Sequence, residues 1–163
     1  MYSRFGKVFH FISILIFLMV FLYVYALLPQ TVAYEIDPAG YTLQRGSRDG
    51  FFFMGMVLFM LSNFLIVFPA KLIERQSVKN WRKLFPVGDP VSDHVLSWMY
   101  SFTGIINICL AILAYYIFRL NEVEGTISGG SVILFYSIPV LLMVWLLALF
   151  VLMGQKIKQV QQA

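Results

Sequence analysis

The chain has 163 residues, 60% of them hydrophobic and only 12% charged, with a net charge of +4 and a mean hydropathy of +0.81. Soluble globular domains carry about 25% charged residues, so this composition excludes an ordinary soluble domain and points to an integral membrane protein. The single cysteine, Cys109, excludes a disulfide framework and a cysteine-ligated metal, and the modest excess of basic residues speaks of topology and lipid headgroups rather than nucleic acid.

Four apolar runs stand out, at 8–28, 51–70, 95–118 and 131–154. Each reaches the roughly 20 residues that cross about 30 Å of hydrocarbon at ~1.5 Å per residue. Arg4 and Lys7 precede the first run as they would precede a secretory signal. Its apolar core of about 20 residues nevertheless exceeds the usual ~7–15, and no small-residue cleavage pattern precedes Pro29, so it reads as a retained helix. His10, one turn inside, reads as snorkelled or bonded to a neighbouring helix rather than as a proton relay.

Leu27-Leu28-Pro29 stops this helix, because proline lacks the amide donor and disfavours a helical residue before it. Val32, Tyr34 and Ile36 then alternate with Thr31, Ala33 and Glu35, a period-two pattern that predicts a strand. Asp37-Pro38-Ala39-Gly40 fits a type I turn, and Tyr41 and Leu43 alternate with Thr42 and Gln44 beyond it. The segment from Leu28 to Gly50 is therefore expected to form a small β-hairpin whose apolar face packs on the membrane side while charges point to solvent. Gly46 to Gly50 is expected to supply a loop and a cap for the second span.

Pro69 is expected to close that span. From Lys71 to Phe85, Lys71, Arg75, Lys79 and Arg82 follow one helical face and Ile73, Val78, Trp81, Leu84 and Phe85 another, which predicts a basic helix lying in the interface until Pro86. Asp89, Pro90 and Asp93 read as N-cap, first helical residue and dipole-complementing acid at the start of span three. With His94 the two aspartates are also the one cluster of metal-ligand chemistry, but capping accounts for both and no metal site is assigned. Asn121 to Gly130 is expected to be a short acidic link to span four.

Asn63 and Asn107 fall near the middle of spans two and three, with Ser62 and Thr103 close by; hydrogen bonding across helices is the default for such residues, and contact with a polar ligand the alternative. Ser97 and Ser101 have the small-x-x-x-small spacing of close helix approach. No lysine, arginine, aspartate or glutamate lies in the central stretch of any span, where ion-coupled transporters place ionisable groups. A phosphate loop, a His-Glu-x-x-His and a nucleophile with a visible base are also missing from the sequence, so no catalytic role and no cofactor are expected.

Nine basic residues (Arg4, Lys7, Lys71, Arg75, Lys79, Arg82, Lys83, Lys156 and Lys158) fall on one side of the spans and three (Arg45, Arg48 and Arg119) on the other. The positive-inside rule then places both termini and the loop between spans two and three in the cytoplasm, with the hairpin facing the exterior or periplasm.

Leu28-Pro29, Val32 and Gly40, just outside the first span, resemble a pattern in small bacterial multi-pass proteins related to the Sdp toxin-immunity family. There the sequence is leucine-proline, two residues, isoleucine-proline-x-histidine, and a glycine five residues on; Ala33 stands here at the second proline and Glu35 at the histidine. The resemblance implies a bacterial cytoplasmic-membrane protein acting in immunity or signalling by protein binding.

The expectation is thus an all-α membrane protein, one domain over residues 1–163: a four-transmembrane-helix bundle with a small external β-hairpin and a cytoplasmic interfacial helix. It is expected to act without catalysis as an immunity, signalling or accessory factor, with a small transporter or channel subunit, or an obligate subunit of a larger complex, as alternatives. Expected partners are anionic headgroups and a protein partner or second copy. The expected contact residues are Glu35, Asp37 and Arg45 on the hairpin and Lys79, Arg82 and Lys83 inside, with Asn63 and Asn107 as intramembrane polar groups. Whether the hairpin recognises a partner or only closes the bundle stays open at this level.

Overall fold

The computed structural model describes residues 2–36, 42–75, 90–122 and 129–161. In chain order these form α1 (Tyr2–Leu27), β1 (Thr31–Ile36), β2 (Thr42–Ser47), α2 (Arg48–Glu74), α3 (Pro90–Glu122) and α4 (Gly129–Gln161). All four helices are long and apolar enough to cross a membrane. Their outward faces are apolar: Met19 on α1 is 73% exposed and Phe150 on α4 72%, a distribution that suits hydrocarbon and not water.

Lipid offers no hydrophobic drive for helices to associate, so close packing and polar bonds must hold them together. The α1–α3 pair has both. Gly6 lies so close to α3 that a Cβ there would come within 2.6 Å of the Ser97 carbonyl oxygen, and a Cβ on Gly104 would meet the Phe9 ring at 2.6 Å. Ser13, Phe17, Phe21 and Val24 on α1 are buried, facing Thr103, Asn107, Ala111 and Ala114, also buried, on α3. Ser97 thus makes the close approach its spacing suggested, whereas Ser101 accepts a bond from Trp145 on α4.

Against this pair α2 packs through aromatic rings. Phe17 stacks on Phe59 with centroids 4.5 Å apart, and Phe21 on Phe51 at 5.3 Å. Gly55 lies under the Phe21 ring. At the far end Ala70 and Ile73 bury against Leu96 and Tyr100. These contacts correct the expectation for Pro69, which sits inside α2 while the helix runs on to Glu74. Proline in a membrane helix is tolerated where neighbours re-satisfy the backbone, and here the turn beyond it is held by packing on α3 and by an ion pair with α1. Lys71 to Glu74 consequently belong to the end of this long helix and not to a separate interfacial one; residues 76–85 of that expected helix, with Lys79, Arg82 and Lys83, lie outside the described residues.

The hairpin forms as expected, β1 pairing antiparallel with β2 from Thr31 opposite Ser47 to Ile36 opposite Thr42. The turn at Asp37-Pro38-Ala39-Gly40 lies outside the described residues. Strict alternation fails: the register shifts on either side of Glu35, with Tyr34 the extra residue on β1 between the Ala33–Arg45 and Glu35–Gln44 pairs and Leu43 the extra residue on β2 before Ile36 pairs with Thr42. A bulge of this kind re-aims the side chains on either side of it. Val32 and Ala33 are both buried, and Leu43, expected to point into the protein, is 60% exposed.

Helix extends into two expected loops. β2 passes into α2 with Ser47 as N-cap, its hydroxyl accepting from the Gly50 amide at 3.0 Å, so no loop intervenes between 46 and 50. The expected link 121–130 is helical at both ends, Asn121 and Glu122 ending α3 and Gly129 and Gly130 beginning α4, while 123–128 lie outside the described residues. An Arg119–Glu122 ion pair and the bonds of Asn121 hold that last turn of α3.

Candidate functional site

Two constellations bring the sequence-predicted residues into defined geometry. The first is the hairpin. Val32 is fully buried in the same apolar cluster as Phe17, Phe21, Val24, Leu28 and Phe51, so the strand is part of the core. Asn121, at the end of α3, fixes it from beneath: its Oδ1 accepts from the Ala33 amide at 2.8 Å and its Nδ2 donates to the Ala33 carbonyl at 2.9 Å. A side-chain amide here takes the place of a neighbouring strand and covers an edge that would otherwise expose unpaired backbone. The Tyr34 ring crosses over Gly46, where any Cβ would come within 2.6 Å of it, and burial pushes its phenol above the usual range.

On this platform Glu35, Gln44 and Arg45 are exposed. Two of the three expected hairpin contacts, Glu35 and Arg45, therefore stand free on a fixed base; Asp37 lies outside the described residues. At the edge nearest α2 the Tyr25 hydroxyl donates to Asp49 Oδ1 at 3.1 Å and the Arg48 guanidinium lies 5.2 Å from the Tyr25 ring centre. The Gln30 carbonyl accepts from the Arg48 amide at 3.0 Å, closing the base of the hairpin.

The second constellation is a polar layer between α1, α2 and α3. Asn63 Nδ2 donates to Asn107 Oδ1 at 2.8 Å, and Asn107 Nδ2 donates to Ser13 Oγ at 3.1 Å. His10 Nε2 lies 2.8 Å from Asn63 Oδ1. An amide oxygen only accepts, so His10 carries a proton on Nε2 and donates it. Ser13 in turn donates to the His10 carbonyl at 2.7 Å. Asn63 and Asn107 thus spend their amides on one another and on α1, the cross-helix role expected of them by default, and His10 bonds a neighbouring helix.

At the end of the bundle that carries both chain termini, Lys7 and Glu74 form an ion pair, the Tyr100 hydroxyl donates to Glu74 Oε2 at 3.1 Å, and the Lys7 ammonium lies 5.5 Å from the Tyr100 ring centre. One carboxylate so ties α1, α2 and α3.

Sequence reading missed Asn121 and Ser13. Asn121 looked like a loop residue because its partner lies 88 positions away on a strand edge. Ser13 carried one usable signal, a small polar residue three positions after His10 on the same helical face.

Comparison with protein-family models, with curated proteins and with solved structures returns no match for this chain.

Proposed function

We propose that this chain is a non-catalytic integral membrane protein that acts by binding, as an immunity, signalling or accessory factor, and that the exposed edge of its hairpin is the contact surface. The carrying observation is the way the hairpin is held: Val32 is sunk in the helix core and Asn121 grips Ala33, while the charged Glu35 and Arg45 stand exposed above. Exposed charges suit any solvated strand pair and keep its edges from pairing with other chains; what favours recognition is the rigid base beneath them, ordered before a partner arrives. The nine-to-three partition of basic residues supports a cytoplasmic placement of both termini with the hairpin on the opposite side; a bacterial inner-membrane location is what the Sdp resemblance implies. The likeness of Leu28-Pro29, Val32 and Gly40 to the Sdp immunity relatives supports the same role. Lys79, Arg82 and Lys83 supply a second, cytoplasmic contact in this reading.

Affinity purification in mild detergent identifies the partner, and two variants then separate recognition from closure. Glu35→Gln with Arg45→Gln is expected to abolish partner recovery while changing stability by less than about 0.5 kcal/mol, since exposed charges contribute little. Asn121→Ala is expected to cost about 1–3 kcal/mol by leaving the Ala33 amide and carbonyl unpaired, and to raise hydrogen exchange across β1. A charge variant that recovers its partner at the wild-type level, beside an Asn121→Ala variant that fails to accumulate, would reduce the hairpin to a plug.

A further inference from the structure

Between α1 and α2 a cleft of about 550 Å³ opens sideways to the surrounding medium. Ile14 and Phe59 lie at its deep end, Phe64 and Phe68 stack along one wall with ring centres 5.2 Å apart, and Lys71 stands at its mouth. From Phe59 to Lys71 the wall runs along α2 for twelve residues, about 18 Å at ~1.5 Å per residue. One leaflet of a bilayer has a hydrocarbon depth of about 15 Å, half of ~30 Å. In length and volume the cleft matches a single chain lying along the protein from the interface to the midplane.

The mouth supplies the sign of the headgroup. The Glu74 carboxylate is bonded by Lys7 and Tyr100, and Lys71 acts on it only through space. Among the described residues neither Lys71 nor the exposed Arg75, one turn on, is in an ion pair. Lys71 thus stands at the open end of a mostly apolar groove along which His10 and Asn63 are the polar side chains, with Arg75 one turn beyond it. A second copy of this chain is a poor occupant, because a two-fold axis normal to the membrane would set Lys71 and Arg75 against their own counterparts.

We infer that this cleft is a binding site for an anionic phospholipid, one acyl chain lying between Ile14, Phe59, Phe64 and Phe68 and the phosphate held by Lys71 with Arg75. The site rests on the membrane-spanning reading of the bundle and is independent of the hairpin: wild-type partner recovery in the Glu35 and Arg45 variant, which would sink the hairpin as a contact surface, leaves it standing.

The test uses the intact chain in mild detergent, with native mass and thermal stability followed as phosphatidylglycerol, phosphatidylcholine or inorganic phosphate is added. One phosphatidylglycerol is expected to stay bound per chain and to raise the melting temperature, with phosphatidylcholine retained at least about fivefold less well and phosphate without effect. Lys71→Gln should reduce the preference about fivefold and Lys71→Arg should keep it. Met60→Trp, which fills the cleft from an exposed position, should lower retention of both lipids, whereas Phe150→Trp on the outer face of α4 should change neither. Equal retention of the two lipids, a preference untouched in Lys71→Gln, protection by phosphate alone, or a lipid-free dimer in the mass spectrum would each overturn the site.

Discussion

α3 meets α1 and α4, two of its neighbours, by different means. Towards α1 it presents Ser97, Gly104, Asn107, Ala111 and Ala114, residues small enough for the backbones to close and one polar enough to bridge them. Towards α4 it presents Trp98, whose Nε1 donates to the Trp145 carbonyl at 2.8 Å, and Ser101, which accepts from Trp145 Nε1 at 3.1 Å, with Tyr116 stacked on Phe135 at 4.7 Å. The first face buries residues along its whole length; in the most apolar window of α4 none is buried. Helices in hydrocarbon that approach closely gain dispersion contacts and short polar bonds, whereas helices held apart by large rings rely on a few ring donors. The α1–α3 pair is thus the frame of the bundle, and α4 is attached to it.

The contrast breaks most sharply at Gly6. Its missing Cβ faces backbone, which cannot step aside, while that of Gly104 faces the Phe9 ring, which can turn. Gly6→Ala is expected to cost about 3 kcal/mol in reversible unfolding by titration of detergent micelles with dodecyl sulfate, and Gly104→Ala about 1 kcal/mol. Equal costs would mean that the two helices slide to accommodate either methyl. A smaller loss is expected at the polar layer. Asn107→Leu removes the bonds to Asn63 and Ser13 without opening a cavity, at a cost of about 1–2 kcal/mol, and a cycle with Asn63→Leu should return a coupling of about 0.6–2 kcal/mol. The smallest effect belongs to α4. Trp145→Phe deletes one donor and leaves the carbonyl that Trp98 uses, so less than about 1 kcal/mol is expected, read as faster hydrogen exchange in α4 with α1 and α3 unchanged.

The hairpin and the end of α2 show how far local pattern reaches. Thr31 to Ile36 reads as a strand from its alternation, and the strand is there; its bulge at Tyr34 is not in the pattern, because an extra residue is absorbed by pairing with β2 and by the grip of Asn121 on Ala33. Pro69 carries a strong local stop signal that loses to the burial of Ala70 and Ile73 on α3. Of the candidate residues, the exposure of Glu35 was legible from the polar side of its strand and the cross-helix bonding of Asn63 and Asn107 from their shared depth; Arg45 shares its side with Leu43, and its exposure was legible only from its charge. Ser13 and Asn121 were not legible, since nothing near them in the chain announces partners 94 and 88 positions away.

The sequence by itself determined four apolar helices, a strand pair between the first two, a capped start for the second, and a separation of basic residues. These follow from composition, periodicity and cap chemistry, which act over a few residues and need no knowledge of neighbours. Only the tertiary structure decided that α1 and α3 form the frame, that His10, Ser13, Asn63 and Asn107 make one polar layer, and that Asn121 holds the hairpin. It also decided that a basic-mouthed cleft lies between α1 and α2. In each case the physical reason is the same: in hydrocarbon every apolar face is equally content with lipid, so helix pairing is chosen by where backbones can close and where polar groups meet, and both are properties of two segments together.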